Sequence, residues 1–171
     1  MKSFLEYINR ISYVKVIWIL AISETLHNLE EAIWLPDWSK TAGIWHPKVG
    51  ATEFRIAVIL ITLMFYGVIY YFAKYKSNRS KFLMSGALVM ILFNVLMPHL
   101  LASVLTLNYA PGVASGVLLN VPVTLYLLNR GVKEGLYKVK NLVLAGICFA
   151  LAAFPLLKLL FVIGRFIDKI I

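Results

Sequence analysis

The chain has 171 residues, of which 61% are apolar and 15% charged, with 17 basic against 8 acidic side chains and a net charge of +9. A soluble domain of this length is roughly 45–50% apolar and about 25% charged, and too little interior exists to hide the surplus, so the composition predicts a membrane protein. It excludes a disordered chain, a disulfide scaffold (Cys148 is the lone cysteine) and a secreted enzyme, and the basic residues, which sit in short runs between apolar stretches, read as topology signals and not as a nucleic-acid-binding face.

Crossing a hydrocarbon core takes about 20 apolar residues as a helix. The first candidate runs from about 14 to 35, is closed by Pro36, and carries Glu24, His27, Glu30 and Glu31. Those acids, and the lack of a small-residue cleavage site after them, argue against a signal peptide. Residues 56–73 contain no Asp, Glu, Lys or Arg, and neither do residues 82–129 or 141–157. The stretch 82–129 would reach ~72 Å as one helix and must cross twice. Its break falls at Tyr109-Ala110-Pro111-Gly112, where Pro then Gly suits the centre of a type II turn. The expected fold is therefore all-α, a single polytopic bundle over residues 1–171 with about five transmembrane helices: 14–35, 55–73, 82–107, 113–129 and 142–163. Pro155 and Lys158 interrupt the last, and residues 156–171 either complete it or lie along the interface.

Lys2, Arg10, Lys15, Lys74, Lys76, Arg79, Lys81, Arg130, Lys133, Lys138 and Lys140 fall at one end of such a bundle, eleven against six at the other. The excess predicts a bacterial plasma-membrane protein with its N-terminus in the cytoplasm and its C-terminus outside. Trp34, Trp38 and Trp45 then sit near the outer end of the first helix, as does His46, read as a surface histidine.

Ionisable groups inside a span cost about 2.5–3.5 kcal/mol each on insertion scales and mark function. On a helical wheel Glu24, His27, Asn28, Glu30 and Glu31 share an arc of about 160°. Between Arg55 and Lys158 no Lys or Arg lies inside a predicted span, so the carboxylates have no obvious resident counter-ion, which leaves a retained proton, a bound cation or a water-filled vestibule. At 1.5 Å per residue His27 lies ~4 Å and His99 ~7 Å beyond the midplane, nearly the same depth. Pro98 frees the Asn94 carbonyl beside His99, the set His99, Ser103 and Thr106 follows one helix face, and Asn120 adds an amide from the fourth helix.

His27, Glu30, Glu31 and His99 are thus the candidate metal or proton site, with Glu24, Asn94, Asn120 and Tyr109 as supporting polar groups and Pro111 and Gly112 as the turn. Two histidines and a glutamate would suit a divalent cation such as zinc. Tyr109 reads as an interfacial anchor, Cys148 as a small core residue, and Gly146, Ala150 and Ala153 as a close-packing stripe.

The string His27-Asn28-Leu29-Glu30-Glu31, the downstream His99 and the turn Tyr109-Ala110-Pro111-Gly112 together resemble the HXXEE domain family of bacterial membrane proteins, defined by HxxEE, a second histidine and YxPG. The resemblance covers most of residues 15–130, and all it implies about function is a suggested transporter role. Three classes stay open: a small transporter coupled to a proton or metal cation, an intramembrane enzyme (a metal-dependent hydrolase or acid/base isomerase acting on a lipid-like substrate), and a structural membrane subunit. The expected partners are the lipid bilayer, an unidentified small molecule or ion, and a second copy of the chain. Nucleic acid is not among them.

Overall fold

A computed structural model describes residues 8–170, so Lys2 and Ile171 fall outside the described residues. Helices dominate, and no strand occurs among the described residues. We number them α1 Tyr13–Ser39, α2 Ala51–Tyr75, α3 Asn78–Asn94, α4 Leu101–Thr106, α5 Val113–Ser115, α6 Val121–Lys133 and α7 Val139–Asp168. A kinked segment, Val95–Leu100, joins α3 to α4, and a π-helical turn, Gly116–Asn120, joins α5 to α6. Three helical stretches are long and apolar enough to cross a membrane: Ala51–Tyr75, Asn78–Thr106 and Val139–Asp168.

Local chemistry sets the boundaries. The Ser77 hydroxyl accepts the Ser80 N–H at 3.2 Å and starts α3, while Lys76 and Leu107 take left-handed conformations (φ 47° and 54°) that stop α2 and α4. Pro36 does not close α1 as expected. The helix continues to Ser39 because the carbonyl that the proline leaves free, that of Ala32, accepts the Arg55 Nε–H at 3.1 Å. Pro98 does interrupt its helix: Met97 leaves helical geometry (φ −140°, ψ 116°) inside the kinked segment Val95–Leu100. Helix α7 passes through Pro155 without a break.

Packing divides the bundle into three layers. At the end where α1 begins, Tyr13, Ile17, Leu20, Phe72, Met84, Leu88 and Leu127 form an apolar plug, and the Tyr13 hydroxyl donates to the Leu127 carbonyl at 3.0 Å. At the opposite end Leu35, Phe54 and Val58 make a smaller cluster with Trp38 and Phe161 against it. The polar face of α1 lies between the two.

Helix α7 closes the bundle against α2 and α3 by glycine-mediated approach. A Cβ on Gly86 would stand 2.3 Å from the Phe149 ring, one on Gly146 2.6 Å from Val89, and one on Gly164 2.5 Å from the Glu53 carbonyl. The small-residue stripe is therefore corrected, since Ala145 and Gly146 are buried but Ala150 is exposed. Cys148 is likewise exposed and not in the core, because only one face of α7 meets the other helices.

Candidate functional site

Helix α1 presents its polar side chains in the middle layer, and two other elements meet them there. The end of α3 supplies Asn94 and the kinked segment after it His99, and the Tyr109–Gly112 turn folds back over both. That turn is of the expected type: the Val113 N–H donates to the Ala110 carbonyl at 3.1 Å, and Gly112 sits at φ 95°, ψ −17°.

His27, Glu31 and His99 come together, one ligand atom from each lying within 4.8 Å of the others. The His99 Nε2 is 2.7 Å from the Glu31 carboxylate and the His27 Nε2 3.5 Å from the same oxygen. The two imidazoles stand perpendicular with centroids 5.2 Å apart. His27 is fully buried, and His99 and Glu31 nearly so.

The protons can be placed. The Asn94 Nδ2 lies 3.2 Å from His27 Nε2, and the Ser115 hydroxyl 3.1 Å from His27 Nδ1. An amide N–H donates only, so His27 accepts at Nε2 and donates from Nδ1 to Ser115. His99 Nε2 faces both the Glu31 carboxylate at 2.7 Å and the Asn94 Nδ2 at 3.4 Å, and its Nδ1 has no hydrogen-bond partner.

In a tetrahedral zinc site the ligand atoms stand about 3.3 Å apart, given metal bonds of ~2.0–2.1 Å. The His27–Glu31 pair is already at that spacing, and the His99–Glu31 pair would open by well under an ångström as a cation took the place of the shared proton. Coordination through His27 Nε2 would leave Ser115 holding the other ring nitrogen, the usual outer support of a metal-bound imidazole. Replacing Ser115 by Ala should accordingly lower cation affinity 10- to 100-fold while leaving the fold intact, as read by metal titration and thermal unfolding of the same sample.

Glu30 is placed differently from its neighbour. Its carboxylate accepts the Gly112 N–H at 2.6 Å, the Ser115 N–H at 2.8 Å and the Tyr109 hydroxyl. Among the described residues no Lys or Arg lies within ion-pair distance of Glu30, and its charge is met instead by the free N–H groups at the start of the helical run Val113–Lys133. Burial and this carboxylate push the Tyr109 hydroxyl up to about 12, so it remains a donor. Tyr109 is thus a clamp on Glu30, the supporting polar role expected of it, while its ring stays exposed beside Trp34 and Trp38. The Ser103 hydroxyl secures the same turn by accepting the Ala110 N–H at 2.9 Å. Thr106, expected beside it, bonds back to the Ala102 carbonyl and is exposed.

Glu24 and Asn120 form a separate layer toward the apolar plug: Asn120 donates to Glu24 at 2.7 Å and accepts from Ser23 at 2.5 Å. Asn28 donates to Thr62 at 2.8 Å and ties α1 to α2. His46 is half-buried against Trp38 and Phe54, outside the cluster. The outer face of the Tyr109–Gly112 turn lines a cavity of about 380 Å³ with Trp34 and Trp38, so Tyr109 and Pro111 form its wall while Gly112 faces the histidines.

Sequence reasoning missed Ser115. Its signal was position, the third residue after the turn's glycine, where a new helix has an unpaired N–H to give.

Fold and site define an all-helical chain built around a buried two-histidine, one-glutamate cluster roofed by a YxPG turn. The chain belongs to the HXXEE family, described as a protein of unknown function with HXXEE motif, whose profile matches residues 18–127. It is 36% identical over 147 residues to the uncharacterized protein YrkK of Bacillus subtilis (strain 168), covering 85% of this chain and 91% of that protein. No solved structure matches the chain.

Proposed function

We propose that the chain is a multi-pass membrane protein that binds a divalent cation between His27, Glu31 and His99, and that it is a small cation-handling transporter. Five crossings are made by α1, α2, the α3–α4 run, the Val113–Lys133 run and α7, with the N-terminus cytoplasmic and the C-terminus outside. The distribution of apolar side chains supports membrane placement: Ile19, Ile22, Leu26, Leu29 and Ile33 of α1 are exposed while its polar residues His27, Glu30 and Glu31 are buried, the reverse of a soluble helix.

One observation carries the cation site: three ligand atoms converge in a buried layer, with no Lys or Arg within ion-pair distance of Glu24, Glu30 or Glu31 among the described residues. Transport is favoured over a fixed structural metal by two helix interruptions, the kink at Met97 and the π-helical turn Gly116–Asn120. Both lie on the runs that face α1 and beside the cluster, as do the broken helices of secondary transporters. The apolar plug seals one side, and the Glu30-held turn closes the other. This is an occluded arrangement in which lifting the turn would admit an ion from outside.

Purified protein in sealed vesicles should move zinc or manganese ions down an imposed gradient, and Glu31→Gln should abolish the flux without loss of folded protein. A protein that holds the metal yet moves none would sink transport. The surviving reading would then be an intramembrane hydrolase or isomerase, which the aromatic-walled cavity on the far side of the turn favours, since it offers room for a lipid-like substrate.

A further inference from the structure

A second site lies at the opposite end of the bundle, independent of the cation cluster. No Asp or Glu occurs between Glu53 and Glu134, and that stretch carries Lys74, Lys76, Arg79 and Lys81 around the α2–α3 connection. Among the described residues none of these four has a carboxylate within ion-pair distance, and the ion pair at this end, Arg130 with Glu134, is internal to α6 and its cap. Beside them is a cavity of about 440 Å³ lined by Asn78, Arg79, Phe82 and Leu83. Its lining is almost wholly apolar, made by Phe82, Leu83 and the carbon stems of Asn78 and Arg79, all on the first two turns of α3.

We propose, resting on the membrane orientation proposed above, that this groove holds an anionic phospholipid of the cytoplasmic leaflet, its phosphodiester on Arg79 and Asn78 and the start of an acyl chain on Phe82 and Leu83. The guanidinium fork suits a phosphate oxygen pair better than an ammonium does. The unpaired lysines supply the attraction that selects an anionic headgroup over a zwitterionic one. A free phosphate would gain nothing from this apolar lining, which is why the lipid is the occupant chosen.

The test is thermal unfolding of the detergent-solubilised full chain with added phosphatidylglycerol, phosphatidylcholine of the same acyl chains, or inorganic phosphate. Phosphatidylglycerol should raise the midpoint saturably, by several degrees, and the other two should not. Arg79→Gln should remove most of the shift, Arg79→Lys only part of it, and Lys40→Gln at the far end none. Equal shifts with phosphatidylcholine would overturn charge selection, and the same shift from phosphate would make the ligand a free anion. An unchanged shift in Arg79→Gln would reduce the effect to diffuse surface charge. Should that variant not fold, native mass spectrometry of the unaltered protein decides: one phosphatidylglycerol retained against excess phosphatidylcholine supports the groove, and equal exchange refutes it.

Discussion

Replacing Gly112 by Ala is expected to abolish the proposed cation binding and to cost several degrees of thermal stability. Two effects add at this position. The backbone sits at φ 95°, where a side chain costs about 1–3 kcal/mol. A Cβ there would also stand 2.8 Å from His99 Nδ1 and 2.9 Å from His27 Cε1, so both rings would have to move. Neither ring has room, since His27 is held by Ser115 and Asn94 and His99 by Glu31. The loss in cation affinity should exceed tenfold. Gly43→Ala is the control, because Gly43 has φ 61° but nothing within 4 Å of a new Cβ. It carries the backbone strain without the clash and should keep the cation. If Gly112→Ala binds metal as the unaltered protein does, the turn is a connector only and not the roof of the site.

A second large effect is expected at the histidines. His27→Ala and His99→Ala should each weaken binding by about 100-fold or more, because two remaining ligands no longer define a zinc site. The double substitution should add little, since residues that act as one unit are not additive. Asn94→Ala should fall between these and the unaltered protein, because Asn94 touches both imidazoles at 3.2 and 3.4 Å without being a metal ligand of the zinc type. Additive losses in the double variant, measured by competitive metal titration, would mean that the two histidines serve different sites.

Much of this site could be read before the fold was known, and the reason is geometric. The i, i+4 spacing of His27 and Glu31 fixes them on one helix face, and a rise of 1.5 Å per residue places His99 at matching depth. What could not be read was the consequence of one further residue. Glu30 is turned about 100° from Glu31, and that rotation takes it out of the cluster and into the N–H groups of a helix whose start is distant in sequence. Helix boundaries divided in the same way. The stop at Leu107 is local chemistry, but the survival of α1 through Pro36 depends on Arg55, which satisfies the Ala32 carbonyl from another helix. The exposed position of Cys148 and Ala150 also lay beyond the sequence, since an apolar helix beside lipid gives no periodic signal for which face is packed.

The measurement closest to the central claim is metal content and coordination in the protein purified without chelators and then titrated with zinc. One equivalent per chain should bind, X-ray absorption should show two imidazole nitrogens and a carboxylate oxygen around the metal, and Glu31→Gln should remove both signals while the protein stays folded. Less than a tenth of an equivalent after titration, or a full equivalent that persists when His27, Glu31 and His99 are all replaced, would contradict it.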